Sequence, residues 1–252
     1  MEVLPGEIAR IPGKRGTRSD HRPHREDTNV AAPVKATVFA LVVAMTTAAG
    51  AAEPQRHDAT ARHSFENVEH WVKIFDDPER DAWQKPVEVV AALGLQPGMT
   101  VADLGAGTGY FTRHLAAAVG PNGVVYAVEV EPKLVVHLRE RAEKEGTENV
   151  TPILGSATHP RVPAGSADLI LIVDTLHHID DRPEYLRRLK RSLKPEGRIA
   201  VVDFKKEKIP VGPPLEHKLA REQVLEEFGL AGYSVVAEPN VLPYQYFLIF
   251  KP

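Results

Sequence analysis

The sequence predicts an α/β fold in which helices cover both faces of a mostly parallel β-sheet. Strand-like and helix-like segments alternate from residue 100 onward, which is typical of parallel strands joined by crossover helices. The run 168–173, Asp-Leu-Ile-Leu-Ile-Val, is almost continuously apolar, as a strand buried on both faces requires. We therefore expect a three-layer sandwich built as one domain.

Each element follows from the spacing of its apolar residues and from the turn residues at its ends. Seven segments are strand-like: 100–104, 124–128, 150–154, 168–173, 198–203, 234–238 and 244–250. Helical spacing occurs in five places: 81–93, 110–119, from Pro132 up to Gly146, 181–193 and 220–228. Residues 194–197, Lys-Pro-Glu-Gly, predict a turn. The last two strand-like runs predict a C-terminal hairpin.

A glycine-rich loop joins the first strand to the next helix. Residues 101–109 read Val-Ala-Asp-Leu-Gly-Ala-Gly-Thr-Gly, and glycine tolerates positive φ and lets a ligand approach the backbone closely. The second strand ends at Glu129, whose carboxylate is placed to accept both hydroxyls of a ribose. Asp103, just ahead of the glycines, suits a cofactor with a cationic end better than a pyrophosphate. Together these residues predict a nucleoside-cofactor site.

This loop, with its preceding acid and with Glu129, closely resembles motif I of the class I S-adenosylmethionine-dependent methyltransferases, which have a Rossmann-like fold. The resemblance extends from about Trp83 to the C-terminus. It implies S-adenosylmethionine as cofactor, a small-molecule methyl acceptor and an antiparallel strand inserted by the C-terminal hairpin into a seven-stranded sheet. The candidate cofactor-binding residues are Asp103, Gly105, Ala106, Gly107, Thr108, Gly109, Glu129, Val130, Ser156, Ala157 and Asp174.

A second polar group follows the fourth strand, at the edge where open α/β sheets bind ligands. The segment from Asp174 reads Asp-Thr-Leu-His-His-Ile-Asp-Asp. We expect Asp174 to line the cofactor or acceptor site, and His177 or His178 to act as general base. A purely structural role for one histidine stays open, because related enzymes carry a similar segment in which one histidine packs. No metal site is predicted.

Two further segments bear on the site. Related enzymes commonly place an aspartate after the glycine that ends the third strand, where it holds the adenine amino group. Here Ser156 stands at that position, so the hydrogen bond to adenine has to come from a hydroxyl or from the backbone. Region 70–95 is expected to form an N-terminal cap or substrate lid. Its aromatic residues are expected to pack within the cap, and contact with the substrate is the alternative; the candidate residues are His70, Trp71, Phe75, Arg80 and Trp83.

The N-terminal region 1–52 has the pattern of an export signal. Lys35 precedes an apolar run at about 36–47, and small residues at 48–52 suit signal-peptidase cleavage. The run is too short to span a bilayer comfortably, so no stable membrane insertion is expected after cleavage. We hypothesise that translation starts near Val34 rather than at the first methionine.

The corresponding domain organisation is a flexible linker at 53–69 followed by a methyltransferase domain at 70–252. An export signal predicts a periplasmic location, and a cytoplasmic protein with an uncleaved, disordered N-terminus is the alternative. Because the cofactor is made in the cytoplasm, export would also suit a non-catalytic binding protein with the same fold. The oligomeric state is left open.

Composition excludes several other functions. The chain of 252 residues carries a formal net charge of −3, which gives no electrostatic footprint for nucleic acid. It has no cysteine, and therefore no thiolate nucleophile, no cysteine zinc site and no cysteine set for arsenite. A nicotinamide-dependent oxidoreductase shares the strand–glycine–helix–acid layout, but Asp103 and the Gly-x-Gly-x-Gly spacing argue against it.

Overall fold

The protein, described by a computed structural model over residues 67–252, contains a seven-stranded sheet. Its strands are β1 (Thr100–Leu104), β2 (Val124–Glu129), β3 (Val150–Leu154), β4 (Ala167–Val173), β5 (Leu193–Phe204), β6 (Ser234–Ala237) and β7 (Gln245–Lys251). Their order across the sheet is β3-β2-β1-β4-β5-β7-β6, and β7 is antiparallel to both neighbours. The predicted Rossmann-like sheet with an inserted antiparallel strand is confirmed.

Helices cover both faces of this sheet: α1 (Val68–Phe75), α2 (Asp81–Gln84), α3 (Pro86–Ala92), α4 (Tyr110–Val119), α5 (Pro132–Glu145), α6 (Arg182–Lys190) and α7 (Arg221–Leu230). Successive strand residues point to opposite faces, so neighbours such as Ile170 and Leu171 are fully buried in different layers. One layer packs on α6 and α7, and the other packs on α3 and α4. Within residues 67–252, no helix is long and apolar enough to cross a membrane.

Two element boundaries differ from the sequence-based expectation. The single helix predicted at 81–93 is two helices, because Pro86 starts α3 and the preceding Lys85 adopts φ +44°; the residue before a proline is disfavoured in the right-handed helical region. The turn predicted at 194–197 lies inside β5, which starts at Leu193 and carries an irregularity in its pairing with β4. Position 197 favours glycine, because the Cβ of any other residue would lie only 2.9 Å from the carbonyl oxygen of Ala167.

The topology determines where a ligand can bind. The chain moves outward from β1 through β2 to β3, then returns to place β4 on the other side of β1. This reversal leaves a crevice at the carboxyl ends of β1 and β4, the usual ligand site of open α/β sheets. The predicted export segment at 36–47, the region 1–52 and nearly all of the 53–69 linker lie outside the described residues.

Candidate functional site

A cavity of about 190 Å³ lies in this crevice, at the carboxyl ends of β1 and β4. All of the candidate cofactor-binding residues except Gly109 line it. Gly109 instead caps the N-terminus of α4 with φ +91°, and a Cβ there would lie 2.9 Å from Leu138 Cδ2. Of the candidate catalytic residues, Asp174 and His178 line the cavity, whereas His177 does not.

The glycine loop follows β1 and is held against β2. The backbone N–H groups of Gly105 and Ala106 both donate to the carbonyl oxygen of Val128, at 2.9 and 3.0 Å. Gly105 has φ +76°, and a Cβ at this position would lie 2.3 Å from Thr175 Oγ1. Gly107 has φ +56° but would meet only the Phe75 ring, at 3.5 Å. The first glycine is therefore needed for packing of the loop, and the second for its backbone conformation.

Glu129 ends β2, and three backbone N–H groups bind its carboxylate. Gly107 donates to Oε2 at 2.9 Å, while Val130 and Glu131 donate to Oε1 at 2.7 and 3.1 Å. Burial raises the pKa of Glu129, and these three hydrogen bonds oppose the increase. A carboxylate offers about four acceptor positions, so one on Oε2 is left for a ligand. This count favours one ribose hydroxyl rather than the two expected from sequence.

Asp103 lies within β1, directly below the loop. Its side chain is buried and accepts a 2.6 Å hydrogen bond from the Thr112 hydroxyl. Burial raises the pKa of Asp103 to about 6, with a smaller contribution from the charge of Glu129. The carboxylate lines the cavity, and its ionised form is stabilised whenever a positive charge is bound nearby.

Asp174 follows β4 and adopts φ +49°, a conformation uncommon for residues other than glycine. Its Oδ1 accepts a 2.6 Å hydrogen bond from Gln245 Nε2, and its Oδ2 lies 3.6 Å from Arg80 Nη2. Burial raises the pKa of Asp174 to about 7, Arg80 opposes this, and the nearby Asp203 adds to it. Strained backbone and a perturbed carboxyl group together are features of functional sites.

The two histidines have different environments. The Nδ1–H of His177 donates to the fully buried Asp203 carboxylate at 2.9 Å, which assigns its tautomer. Burial by itself lowers the pKa of His177, but the hydrogen bond to Asp203 and the charges of Asp203 and Asp174 together outweigh it, and the net pKa is raised. The His178 ring lies 4.2 Å from the His177 ring, centroid to centroid, and lines the cavity. His177 thus packs against the ring of His178 and does not itself line the cavity.

The N-terminal segment covers the other side of the cavity. The Phe75 ring, at the end of α1, lines the cavity above Gly107. Asp76 then accepts hydrogen bonds from Thr108 Oγ1 at 3.0 Å and from Arg141 Nη1 at 2.7 Å. Arg141 also donates to the Thr108 carbonyl oxygen at 2.9 Å. These contacts fix the end of α1 to the glycine loop.

The region predicted to meet the adenine is polar and accessible. The backbone N–H of Ser156 donates to the carbonyl oxygen of His159 at 2.9 Å, and its hydroxyl accepts from the His159 N–H at 3.0 Å. Ala157 and Val130 also line the cavity, and Val130 is 41% exposed. Both polar groups of Ser156 are therefore engaged within its own turn.

The donor set fits a cofactor with a positive charge. Asp103, Glu129 and Asp174 all line one cavity, and burial raises the pKa of each carboxyl group. Each carboxylate has hydrogen-bond partners within the protein, but among residues 67–252 only Asp174 of the three lies close to a positive charge, that of Arg80. A bound cation would favour the ionised form of all three. Within the described part of the chain, no group of three or more His, Asp or Glu side chains is arranged to hold a metal ion.

The sheet order, the glycine loop and the acid that ends β2 define an α/β nucleoside-cofactor protein of methyltransferase topology. Residues 95–233, more than half of the chain, match the Methyltransferase domain family, and the chain belongs to that family. A solved S-adenosylmethionine-dependent methyltransferase from Aquifex aeolicus is 31% identical, with a TM-score of 0.69, over 73% of this chain and 97% of that one. The predicted class and the predicted cofactor, S-adenosylmethionine, are confirmed.

Curated relatives also match. The ubiquinone/menaquinone biosynthesis C-methyltransferase of Ectopseudomonas mendocina is 32% identical over 60% of this chain and 58% of its own length. An arsenite methyltransferase of Halobacterium salinarum is 32% identical over 45% of this chain and 29% of its own. The chain thus spans between 29% and 58% of the length of these curated relatives. None of these matches supports the nicotinamide-dependent alternative.

Some site residues escaped sequence reasoning. Gln84 and Gln245 are buried beside Asp174, yet no motif marks them. Asp203 was recognised as a strand end but not as the partner of His177. Arg80 was a candidate lid residue, and it lines the cavity as well as contacting Asp174. Gln245 begins β7 and Asp203 lies next to the end of β5, so polar residues at the ends of core strands are the signal that points to these two positions.

Proposed function

We propose that this protein transfers the methyl group of S-adenosylmethionine to a small organic acceptor at the carboxyl edge of β1 and β4. The observation that carries the proposal is one cavity in which a glycine loop meets three carboxylates, those of the buried Asp103 and Glu129 and of the partly exposed Asp174. Membership of the methyltransferase family supports the same reaction.

We assign the binding roles from position around the cavity. Gly105 and Gly107 let the cofactor approach the loop backbone, and Glu129 accepts a ribose hydroxyl at its remaining acceptor position. Ser156 and Ala157 lie where the adenine is expected, with Ala106, Thr108 and Val130 alongside. Asp103 and Asp174 favour the positive end of the cofactor, because ionised carboxylates in a buried site attract cations strongly.

The cofactor supplies an electrophilic methyl group carried on a positively charged sulfur. The protein orients the acceptor and handles its proton. We assign proton removal to His178 or Asp174, which line the cavity. His177 is a positioning residue, because its bond to Asp203 holds its ring against that of His178.

We infer that the acceptor is organic and largely apolar. Aromatic and aliphatic side chains, including Phe75, Phe111, Ile179 and Tyr185, line the cavity. The chain has no cysteine, and soft metalloids such as arsenite favour thiolate ligands. An aromatic ring suits this lining better, and a ubiquinone/menaquinone biosynthesis C-methyltransferase is among the relatives that match part of this chain.

The reaction is tested with S-adenosylmethionine labelled in its methyl group. The full chain is incubated with 1,4-naphthoquinol, catechol and a simple primary amine, and label in the organic product is measured. We expect transfer to at least one aromatic acceptor, and a loss of at least about tenfold in Asp174→Asn. Labelled product in none of them, from folded protein that binds the cofactor, would favour the non-catalytic alternative.

We further propose that region 1–52 directs export and is removed, leaving a linker at 53–69, whose last two residues already belong to α1, and a methyltransferase domain at 70–252 with a cap at 70–95. The support is the sequence pattern around the apolar run at 36–47. N-terminal sequencing of the native protein tests it. A terminus near residue 52 supports export, and a peptide from residues 1–30 contradicts both export and a start near Val34.

A further inference from the structure

Four side chains from three separate segments form a closed ring beside the cavity. Arg80 Nε donates to Gln84 Oε1 at 3.2 Å, and Gln84 Nε2 donates to Gln245 Oε1 at 3.1 Å. Gln245 Nε2 then donates to Asp174 Oδ1 at 2.6 Å. The ring closes where Arg80 Nη2 lies 3.6 Å from Asp174 Oδ2.

The direction of these hydrogen bonds is fixed by chemistry. A guanidinium is a donor only, and an ionised carboxylate is an acceptor only. If either amide were flipped, donor would face donor or acceptor would face acceptor. Gln84 is 0% exposed and Gln245 is 2% exposed, so water does not replace a lost bond, and each amide is held in one orientation.

We propose that Gln84 and Gln245 are positioning residues that hold the Asp174 carboxylate, ionised and oriented, at the cofactor cavity. The inference rests on the proposed role of Asp174 beside the cofactor. Gln245 acts directly on Asp174, and Gln84 acts through Gln245 on one side and through Arg80 on the other. Because Gln84 belongs to α2 and Gln245 begins β7, the charge at the site depends on how the N-terminal segment docks against the sheet.

Several other charged or titratable groups act on Asp174. Arg80 and His177 favour its ionised form, whereas burial and the Asp203 carboxylate favour its protonated form. Tyr246 lies opposite Asp203 across β5 and β7, and burial raises its pKa, with smaller contributions from the charges of Asp203 and Asp174. Since the pKa of Asp174 is about 7, losing one donor changes its ionisation within the neutral pH range.

The hydrogen bonds that run from Gln84 through Gln245 to Asp174 form a relay, which is tested by titrating Asp174 in the full chain without cofactor. Carbon-13 carboxyl signals of aspartate are followed by NMR, and Asp174→Asn identifies the relevant signal. Methionine matches glutamine in shape but has no amide, so Gln245→Met should raise the titration midpoint by about one pH unit. Gln84→Met should raise it by less, because Gln84 contacts Gln245 and Arg80 but not Asp174 itself. The double variant should shift by less than the sum of the two single variants. Gln96→Met, at an exposed site, should leave it unchanged.

Unchanged midpoints in both single variants, or additive shifts in the double variant, would overturn the relay. If a methionine variant does not fold, the asparagine variant at that position replaces it. Its shorter amide breaks the same bond, so its midpoint must also rise. Binding of S-adenosylmethionine is measured in parallel, and the pH at which affinity increases should move with the Asp174 midpoint. If the midpoints shift but the wild-type chain does not bind, the proposed cofactor role fails while the relay stands.

Discussion

The two halves of the cavity are held together in different ways. In the glycine-loop half, at the ends of β1 and β2, backbone N–H groups bind the Glu129 carboxylate and the loop itself. In the Asp174 half, at the ends of β4 and β5, side chains bind one another: Gln245 with Asp174, and His177 with Asp203. Geometry in the first half follows from the strand–loop–helix path, and in the second from residues brought together by the whole fold.

This difference suggests separate tasks. A backbone cradle accepts any cofactor of the right shape and needs no particular side chain except glycine. A buried network of side chains determines charge and orientation, and a partly broken network is costly because its polar groups lose their partners. We therefore expect changes in the first half to affect loop packing and cofactor entry. Changes in the second should mainly affect protonation and catalysis.

The largest expected effect is a loss of stability when one methyl group is added to the glycine loop, and its size should differ between two glycines of that loop. Gly105→Ala places a Cβ 2.3 Å from Thr175 Oγ1, whereas Gly107→Ala leaves 3.5 Å to Phe75. Gly105→Ala should lower the free energy of unfolding by about 2–4 kcal/mol, through overpacking and backbone strain. Gly107→Ala should lose only about 1 kcal/mol, from its positive φ. Urea denaturation measures both, and equal losses would remove the distinction between packing and conformation.

Sequence and structure agree best in the glycine-loop half. Its strand, glycines and acid are neighbours along the chain, and Gly107 and Glu129 are only 22 positions apart. The spacing therefore predicted which of these residues share a cavity. The number of N–H groups on Glu129 was not predictable, because it depends on how the loop closes over β2.

The Asp174 half could be predicted only in part. The position of Asp174 after a buried strand indicated an active-site location, and the cavity includes it. Its partner Gln245 lies 71 positions away, and Gln84 and Gln245 are 161 positions apart. Such pairs depend on the strand order, which no local pattern contains. The break at Pro86 was also missed, since the apolar spacing runs through it.

The second prediction uses pH to test the glycine-loop half, where Asp103 is a side chain whose ionisation burial opposes. Burial raises the pKa of Asp103 to about 6, against about 3.9 in unfolded chains. Between about pH 4 and pH 6 the folded protein binds more protons, so its free energy of unfolding falls as pH rises. Asp103→Asn should reduce this decline by about 2–3 kcal/mol, because asparagine does not ionise. Its side-chain oxygen still accepts the hydrogen bond from Thr112.

Thermal and urea unfolding at pH 4.5 and 7 measure the decline. Asp180→Asn, at an exposed position, is the control and should keep the wild-type slope. A slope as steep in Asp103→Asn as in the wild type would mean that Asp103 is not the group responsible. Below about pH 4 the contribution should be constant, since Asp103 is then protonated in both states.

The smallest effect concerns the attachment of α1 to the glycine loop. Arg141→Ala removes the ion pair with Asp76 and the hydrogen bond to the Thr108 carbonyl oxygen. Because the pair is partly exposed, we expect a loss of about 1 kcal/mol or less. Amide hydrogen exchange within α1 should become faster than in Arg139→Ala, an exposed neighbour on α5. Equal exchange in the two variants would show that α1 is held by other contacts.

The most direct test of the site is calorimetric titration of the full chain with S-adenosylmethionine, beside Glu129→Ala and the exposed control Glu140→Ala. We predict micromolar binding by the wild type and by the control. In Glu129→Ala we predict a loss of about tenfold to a hundredfold, because a charge-assisted hydrogen bond to the ligand is removed. Absence of binding by folded wild-type protein, or equal affinity in Glu129→Ala, would contradict the assignment of this cavity.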